Sequence, residues 1–183
     1  MFRLARILSA LQPCRIDQWL YVSDGPSAQP SSLNSGLDIR HFDVEHLSGN
    51  SSIDSKISRW RECYAAFVDD ELAHQSWLRR DVLLPRRFGF LGTVPVIGDS
   101  HTEEAFRGRG LYPQVLQQIC AEKASELSDT RDSATEKAQV YILVSPENAP
   151  SIRGIERAGF RRLARLQGWR VAGLIWAKQR HDV

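Results

Sequence analysis

The stretch that most constrains the fold of this chain is residues 106–112, which read FRGRGLY. Upstream, the apolar residues 94–97 predict a short strand, and downstream Leu111, Val115 and Ile119 recur at helical spacing. The segment therefore predicts a strand, a tight basic turn with two glycines, and a helix. Glycine lets the backbone approach a ligand closely, and the first N–H groups of a helix attract anions. This pattern indicates a phosphate or pyrophosphate site, although an ordinary strand-to-helix turn shares it.

The length and net charge of the chain limit the number of domains and the kinds of partner that can be expected. The 183 residues suit one domain, in which residues 1–36 form an N-terminal helix, strand and flexible loop and residues 37–183 form the main domain. The net charge of +2, from 24 basic and 22 acidic residues, is too balanced to favour nucleic acid as a partner. The arginines within 153–165 recur at mixed spacings, which favours a solvated helix face over a nucleic-acid surface.

The N-terminus and the cysteines bear on localisation. Residues 1–11 are basic and apolar, which fits a short packed helix, an amphipathic anchor on an anionic membrane surface, or a short secretory signal. No apolar run is long enough to predict a transmembrane helix. Cys14, Cys63 and Cys120 are far apart and odd in number, so neither a metal site nor a disulfide framework is predicted. A reduced, cytoplasmic setting is expected.

The rest of the chain alternates short strands and helices. The predicted elements are a strand at 19–22, a half-buried strand at 37–42, a serine-capped helix at 50–60, a hairpin at 63–78, a bulged strand or loop at 79–92, a strand buried on both faces at 139–144, a helix at 150–158, and a closing strand pair at 160–166 and 169–176. This order predicts a mixed α/β sheet with helices on its faces.

Two motifs at the expected distance apart resemble the GNAT superfamily of acyl-CoA-dependent N-acyltransferases. The first is the family's pyrophosphate turn, R/Q-x-x-G-x-G/A, which here is RGRGLY at 107–112. The second is an asparagine after a strand, followed by a short helix that ends in Gly-Phe, which here runs from Asn148 to Phe160. The hairpin before the first motif also fits the family's order, so the resemblance covers roughly the C-terminal two-thirds of the chain.

The resemblance implies a splayed central mixed sheet flanked by helices, with acetyl-CoA bound in the gap as co-substrate and no metal. It implies an N-acetyltransferase that moves the acetyl group to the amine of a small molecule or amino-sugar by direct attack in a ternary complex. Asn148 would touch the pantetheine arm, although an asparagine here can serve only as a helix cap. The implied cofactor-binding residues are Thr102, Arg107, Gly108, Arg109, Gly110, Leu111, Tyr112, Asn148 and Ser151.

The chain departs from the family pattern at two positions. The last position of the first motif is Tyr112 instead of glycine or alanine, so its ring must point away from the phosphates or reshape the turn. Many members place a tyrosine four residues before the Gly-Phe as general acid, and here that position is Ile155. Because isoleucine cannot donate a proton, a non-catalytic acyl-CoA-binding or protein-interaction domain on the same fold is the alternative.

The candidate catalytic residues lie on the strand before the turn. Asp99 and His101 alternate there and are predicted to share a face. Because an unperturbed imidazole titrates near neutral pH, His101 can take a proton from the amine, and Asp99 can orient it or bind a cationic amine. The other interpretation is two ordinary polar residues where the sheet opens. His74, in the hairpin, is interpreted as a structural histidine.

The two tryptophans of the closing strands, Trp169 and Trp176, fit two interpretations. Exposed aromatic side chains favour interfaces, so they can support a homodimer. Equally, they can pack into the core of the domain.

Overall fold

A computed structural model describes residues 12–23, 36–43, 53–54, 56, 61–80, 82–90, 94–129, 139–172 and 174–183. The strands are β1 (Cys14–Ser23), β2 (Leu37–Asp43), β3 (Glu62–Val68), β4 (Glu71–Arg79), β5 (Val96–Thr102), β6 (Val140–Val144), β7 (Arg161–Val171) and β8 (Leu174–Asp182). The principal helices are α1 (Leu83–Arg87), α2 (Leu111–Asp129) and α3 (Ala149–Arg157).

The eight strands form one sheet in the order β2-β3-β4-β5-β6-β1-β7-β8. The pair β5–β6 is parallel, and the other neighbouring pairs are antiparallel. The predicted mixed sheet flanked by helices is confirmed. β1 lies between β6 and β7, so residues from both sides of the expected boundary at 36/37 share this sheet.

Both faces of the sheet carry a core, because alternate side chains of a strand point to opposite faces. On β1, Tyr21 belongs to the cluster under α2, whereas Leu20 and Val22 belong to the cluster on the other face. The apolar stripe of α2 is buried as its spacing predicts, with Val115 and Ile119 fully inaccessible. These two cores hold α2 and α1 against opposite sides of the sheet.

The hairpin of β3 and β4 was predicted from its acidic turn. Asp69 and Asp70 both adopt positive φ, 50° and 62°, which is the conformation of the two-residue turn that matches strand twist. The helix predicted at 50–60 lies mostly outside the described residues, as do residues 1–11 and the loop at 24–35. No helix in the described part of the chain is long and apolar enough to cross a membrane.

Two element predictions were wrong. Residues 79–92 were expected to form a bulged strand or loop, but they contain α1, because Phe88 and Phe90 just after it are buried against the sheet. The closing strands were expected to break at 167–168, but β7 continues to Val171. Gly168 stays in the strand because it permits a close approach: a Cβ there would lie 3.2 Å from the backbone oxygen of Trp176.

The closing pair also decides between the two interpretations of its tryptophans. Trp169 and Trp176 are cross-strand partners on β7 and β8. Trp169 and Trp176 are 42% and 56% exposed, so the interpretation that they pack into the core is wrong. A homodimer through this surface remains a prediction.

A cluster of charged side chains ties α2 to the hairpin. Lys123 of α2 is almost completely buried and donates to Glu62 of β3 at 2.7 Å and to Glu126 at 2.6 Å. Burial raises the pKa of Glu62, but His41, Lys123 and Arg80 outweigh that effect and lower it from 4.5 to about 2. The cluster therefore stabilises the fold while Glu62 is ionised.

Glu62→Gln should destabilise the protein by about 2–4 kcal/mol at neutral pH, because it leaves the buried ammonium of Lys123 poorly compensated. A carboxylate with a depressed pKa stabilises above its unfolded pKa and loses that contribution as pH falls through the folded pKa. The difference from wild type should therefore shrink as the pH falls from 4.5 towards about 2. Urea unfolding across this range is the measurement, with the exposed Glu71→Gln as control. A difference independent of pH would contradict the assignment.

Candidate active site

The site begins where β5 separates from β6. The two strands pair only at Val96–Tyr141 and Ile97–Ile142, so the rest of β5 faces β6 without pairing to it. On its other side β5 stays paired to β4, but one extra residue enters: Trp77 pairs with Gly98 and Gln75 with His101. Asp99 lies in this bulge with φ of 48°. Because bulges bend a strand and increase its twist, this one accounts for the separation.

The bulge also changes which side chains of β5 face α2. Before it, Ile97 packs in the cluster under α2. After it, Ser100 and Thr102 face that side, where they contact Ser76 and His74 of β4. Simple alternation from Ile97 would instead have placed residues 99 and 101 there. One inserted residue therefore exchanges the two faces of β5 at the site.

The glycine turn closes one end of the gap. Gly108 and Gly110 have φ of 78° and 74°, a region in which side chains are strained. Gly108, Arg109 and Gly110 donate to no backbone carbonyl among the described residues. The first N–H groups of α2 lack partners within the helix as a matter of geometry. The turn therefore presents several N–H donors at the positive end of a helix of 19 residues.

A cavity of about 540 Å³ occupies the gap. It is lined by His74 of β4, by the end of β5, by the turn and start of α2, and by α3. Its cationic residues are Arg107, Arg153 and Arg157. Arg107 also donates to the backbone oxygen of Thr102 at 3.2 Å, which holds the turn against the end of β5. Arg109 lies outside the lining, with its guanidinium 5.0 Å from the ring centroid of Phe106.

Asn148 begins α3 and also reaches the cavity. Its side-chain oxygen accepts from the N–H of Ser151 at 3.2 Å, which makes it the N-cap of this helix. Both residues line the cavity. Because the cap uses the oxygen, the side-chain NH₂ of Asn148 is available to donate to a ligand. The interpretations of Asn148 as cap and as ligand contact are thus compatible.

The two predicted catalytic residues occupy different places. His101 lines the cavity, is half exposed, and has Nε2 3.7 Å from the carboxylate of Glu103. Asp99 does not line the cavity. Its carboxylate accepts from Lys56 at 3.2 Å, and Lys56 lies over the ring of Trp77, on the side away from α2. The structure therefore brings His101, but not Asp99, to the cavity wall.

A chain of hydroxyl groups about a buried imidazole was missed by sequence reasoning. Nδ1 of His74 lies 2.7 Å from Thr102 Oγ1, and Nε2 lies 2.9 Å from Ser76 Oγ. Ser76 Oγ is 2.9 Å from Ser100 Oγ. Burial, with a contribution from the charge of His101, lowers the pKa of His74 to about 3, so this imidazole is neutral at ordinary pH. The available signal was polar residues at alternate positions of β4 and β5.

Tyr112 also lies on this wall, and the direction of its ring explains how the turn accommodates a tyrosine where the family motif has glycine or alanine. Its ring turns away from the glycine turn and packs between His74, with ring centroids 5.3 Å apart, and Gly154 of α3. Burial raises the pKa of Tyr112 to about 12, with a smaller opposing effect from Ser100. The hydroxyl is therefore protonated at ordinary pH. Ile155, at the position of the family's tyrosine, is completely buried in the core.

The residues present fit a ligand with a diphosphate and an amide-bearing arm. A Cβ at Gly108 would meet no atom within 4 Å, so there is open space above the turn. The cavity is lined by the turn with its N–H donors and by three arginines, and the unpaired edge of β5 offers backbone groups for an extended arm. These are the features that coenzyme A requires. The described residues contain no cluster of three or more side chains able to hold a metal ion.

Solved structures share this arrangement of strands and helices. The chain is similar to an acetyltransferase assigned to the GNAT family from Novosphingobium aromaticivorans, with a TM-score of 0.52 and 16% identity over 84% of this chain and 63% of that one. It is also similar to an acetyltransferase of that family from Colwellia psychrerythraea, with a TM-score of 0.53 and 13% identity over 93% and 62% of the two chains.

The chain has the GNAT fold. A Drosophila protein is also similar to this chain, with a TM-score of 0.58 and 14% identity over 94% of this chain and 58% of that protein. The chain thus spans about three-fifths of the length of the structures it matches. No protein-family model matches the sequence, and no curated protein matches it either.

Gly154→Ala tests how closely Tyr112 packs on α3. Alanine in a helix interior is normally favoured over glycine by about 1 kcal/mol. Here its Cβ would lie 2.7 Å from Cδ1 of Tyr112. We expect destabilisation of about 1–3 kcal/mol from overpacking, measured by urea unfolding.

The control for that substitution is the same change in a Tyr112→Ala background. Removal of the ring should make Gly154→Ala neutral or stabilising, because only the helix preference is left. A double-mutant cycle that gives additive effects would mean that the ring lies elsewhere.

Proposed function

We propose that this protein is an acyl-CoA-dependent N-acyltransferase, which transfers an acetyl group from acetyl-CoA to the amine of a small molecule or amino-sugar by direct attack in a ternary complex. The observation that supports this most is the cavity beside the unpaired end of β5, which ends at a glycine turn with N–H donors and at the start of α2. A cytoplasmic setting and a homodimer are parts of the same proposal.

The binding roles follow from the positions of the donors. The N–H groups of Gly108 to Tyr112 would hold the diphosphate, and Arg107, Arg153 and Arg157 would balance its charge. The open edge of β5 up to Thr102 would pair with the amides of the pantetheine arm, as an added strand does. The side-chain NH₂ of Asn148 would donate to the same arm. Arg109, Leu111 and Ser151 shape the turn and the start of α3.

The chemistry depends on positioning and on proton transfer. The bound thioester supplies the acyl group and a thiolate leaving group, and the attacking amine must lose a proton. Two groups of the cavity can take that proton: the imidazole of His101 and the hydroxyl of Thr102, which is bonded to His74. Asp99, outside the lining, would attract a cationic amine towards the opening. Holding both substrates together contributes several kcal/mol by itself.

The alternative is a domain that binds acyl-CoA or a protein partner without catalysis. The buried Ile155, which occupies the position of the family's general acid, favours it. This alternative uses the same cavity to bind acyl-CoA, but it predicts that no thiol is released. A turnover measurement therefore distinguishes the two functions, whereas a binding measurement does not.

Calorimetric titration should show that acetyl-CoA and desulfo-CoA both bind. Gly108→Ala should weaken binding by about tenfold, because alanine is strained at positive φ although no atom crowds it. Gly89→Ala is the matched control: it has φ of 87° and lies after α1, away from the cavity. It should lose similar stability and keep full affinity. Absence of binding to the wild type at millimolar ligand would remove the proposal.

Thiol release across a broad panel of amines and amino-sugars then tests the reaction itself. Release that depends on both the amine and acetyl-CoA supports the acyltransferase. Binding of acetyl-CoA without release from any amine supports the non-catalytic alternative.

A further inference from the structure

We propose that Thr102, His74, Ser76, Ser100 and Tyr112 form a proton relay, called here the hydroxyl–imidazole chain, which carries the proton lost by the attacking amine to the leaving thiolate. This inference rests on the acyltransferase proposed above. It assigns the proton transfer to groups inside the wall of the cavity, and it gives Tyr112 the role of proton donor that Ile155 cannot fill.

The first argument is the continuity of the chain. Its links from Thr102 to His74, from His74 to Ser76 and from Ser76 to Ser100 measure 2.7, 2.9 and 2.9 Å, all within hydrogen-bonding range. The side chain of Tyr112 lies beside these groups, since its ring packs against His74 with centroids 5.3 Å apart and Ser100 opposes the rise of its pKa by hydrogen bonding. Each group between the ends can both accept and donate a proton. Three of the four links therefore have hydrogen-bonding distances, and we infer the fourth, from Ser100 to Tyr112, from the position of the phenol beside His74.

The second argument is where the ends lie. Thr102 and Tyr112 both line the cavity, whereas the connecting Ser76 is completely buried. His74 and Ser100 line the cavity as well, so the chain runs along its wall from the end of β5 to the first turn of α2, and only Ser76 lies behind that wall. The chain therefore connects two points on the wall that face the same ligand space.

The third argument is the state of the imidazole. His74 is neutral, so one ring nitrogen accepts while the other donates. A neutral imidazole can take a proton at Nδ1 and release the proton of Nε2 without remaining charged in a buried place. An exposed base such as His101 would instead hold the proton and pass it to solvent.

The proton balance is complete. A cationic amine first releases one proton to solvent, so that it attacks in its neutral form. As the new N–C bond forms and the C–S bond breaks, the amine nitrogen gives a second proton to Thr102 Oγ1, and the Thr102 proton passes to His74 Nδ1. The proton of Nε2 passes to Ser76, that of Ser76 to Ser100, that of Ser100 to the Tyr112 oxygen, and the Tyr112 proton to the thiolate. The products are an amide and a neutral thiol. Rotation of the hydroxyls and tautomerisation of His74 restore the starting state.

The substitution His74→Gln tests the relay. A glutamine is neutral and can hydrogen-bond at both ends, but its amide does not exchange a proton between them. We expect kcat to fall by about 100-fold or more, while the KM and the calorimetric Kd for acetyl-CoA stay within about twofold. Ser76→Ala and Tyr112→Phe should lower kcat similarly. His41→Gln, a histidine stacked on Tyr64 away from the cavity, is the matched control and should keep wild-type kcat.

A second readout needs neither turnover nor a variant. In ¹⁵N spectra of protein labelled at histidine, His74 should show one protonated and one unprotonated ring nitrogen from about pH 5 to about pH 8. Its ring N–H should exchange slowly with solvent, because it is buried against Ser76. A doubly protonated His74 in this range would overturn the relay.

The outcomes separate the relay from the function on which it rests. A wild type that binds acetyl-CoA and acylates amines, with His74→Gln equally active, would overturn the relay and leave the acyltransferase standing. Loss of activity in His101→Gln but not in His74→Gln would do the same and assign the base to His101. A wild type without acetyl-CoA binding, or with binding but no thiol release, would remove the acyltransferase and the relay together.

Discussion

The extra residue in β5 is the constraint on which the whole site depends. At the start of β5, Val96 and Ile97 are buried and paired to β6, whereas the residues after the bulge do not pair with that strand. Asp99 accepts a positive φ to make this possible, at a cost of about 1–2 kcal/mol. The hydrogen bonds of β4 with β5 continue beyond the bulge and offset that cost. The same residue opens the cavity and turns Ser100 and Thr102 towards α2.

The wall of the cavity is polar where a simple core would be apolar. His74 and Ser76 of β4 are buried and lie at positions that face α2, as Leu78 does in the same strand. Buried polar groups without partners would cost several kcal/mol in total. Here each of them is bonded to the next, and the ring of Tyr112 covers His74. Gly154 lets that ring approach the backbone of α3, so the spacing of α2 and α3 and the position of the phenol are set together.

Sequence reasoning succeeded where structure is local. Seven residues predicted the glycine turn and α2, and two aspartates predicted the hairpin of β3 and β4, because turn and helix signals act over a few residues. It failed at α1 and at the end of β7, where packing against distant strands decides. It also placed Asp99 on the same face as His101, because alternation along β5 was assumed to be unbroken, whereas only His101 lines the cavity. It interpreted His74 as a structural histidine, since most histidines outside active sites are.

The sequence by itself determined the glycine turn before α2, the cap of α3 by Asn148 and the general class of fold, since each depends on neighbouring residues and on glycine at fixed positions. Only the tertiary structure decided which polar groups meet. The packing of β4, β5 and α2 brings together His74, Ser100 and Tyr112, which are remote in the chain. The inserted residue determines which side chains of β5 face α2. No local pattern reveals that insertion, because it arises from how β5 pairs with β4 and separates from β6.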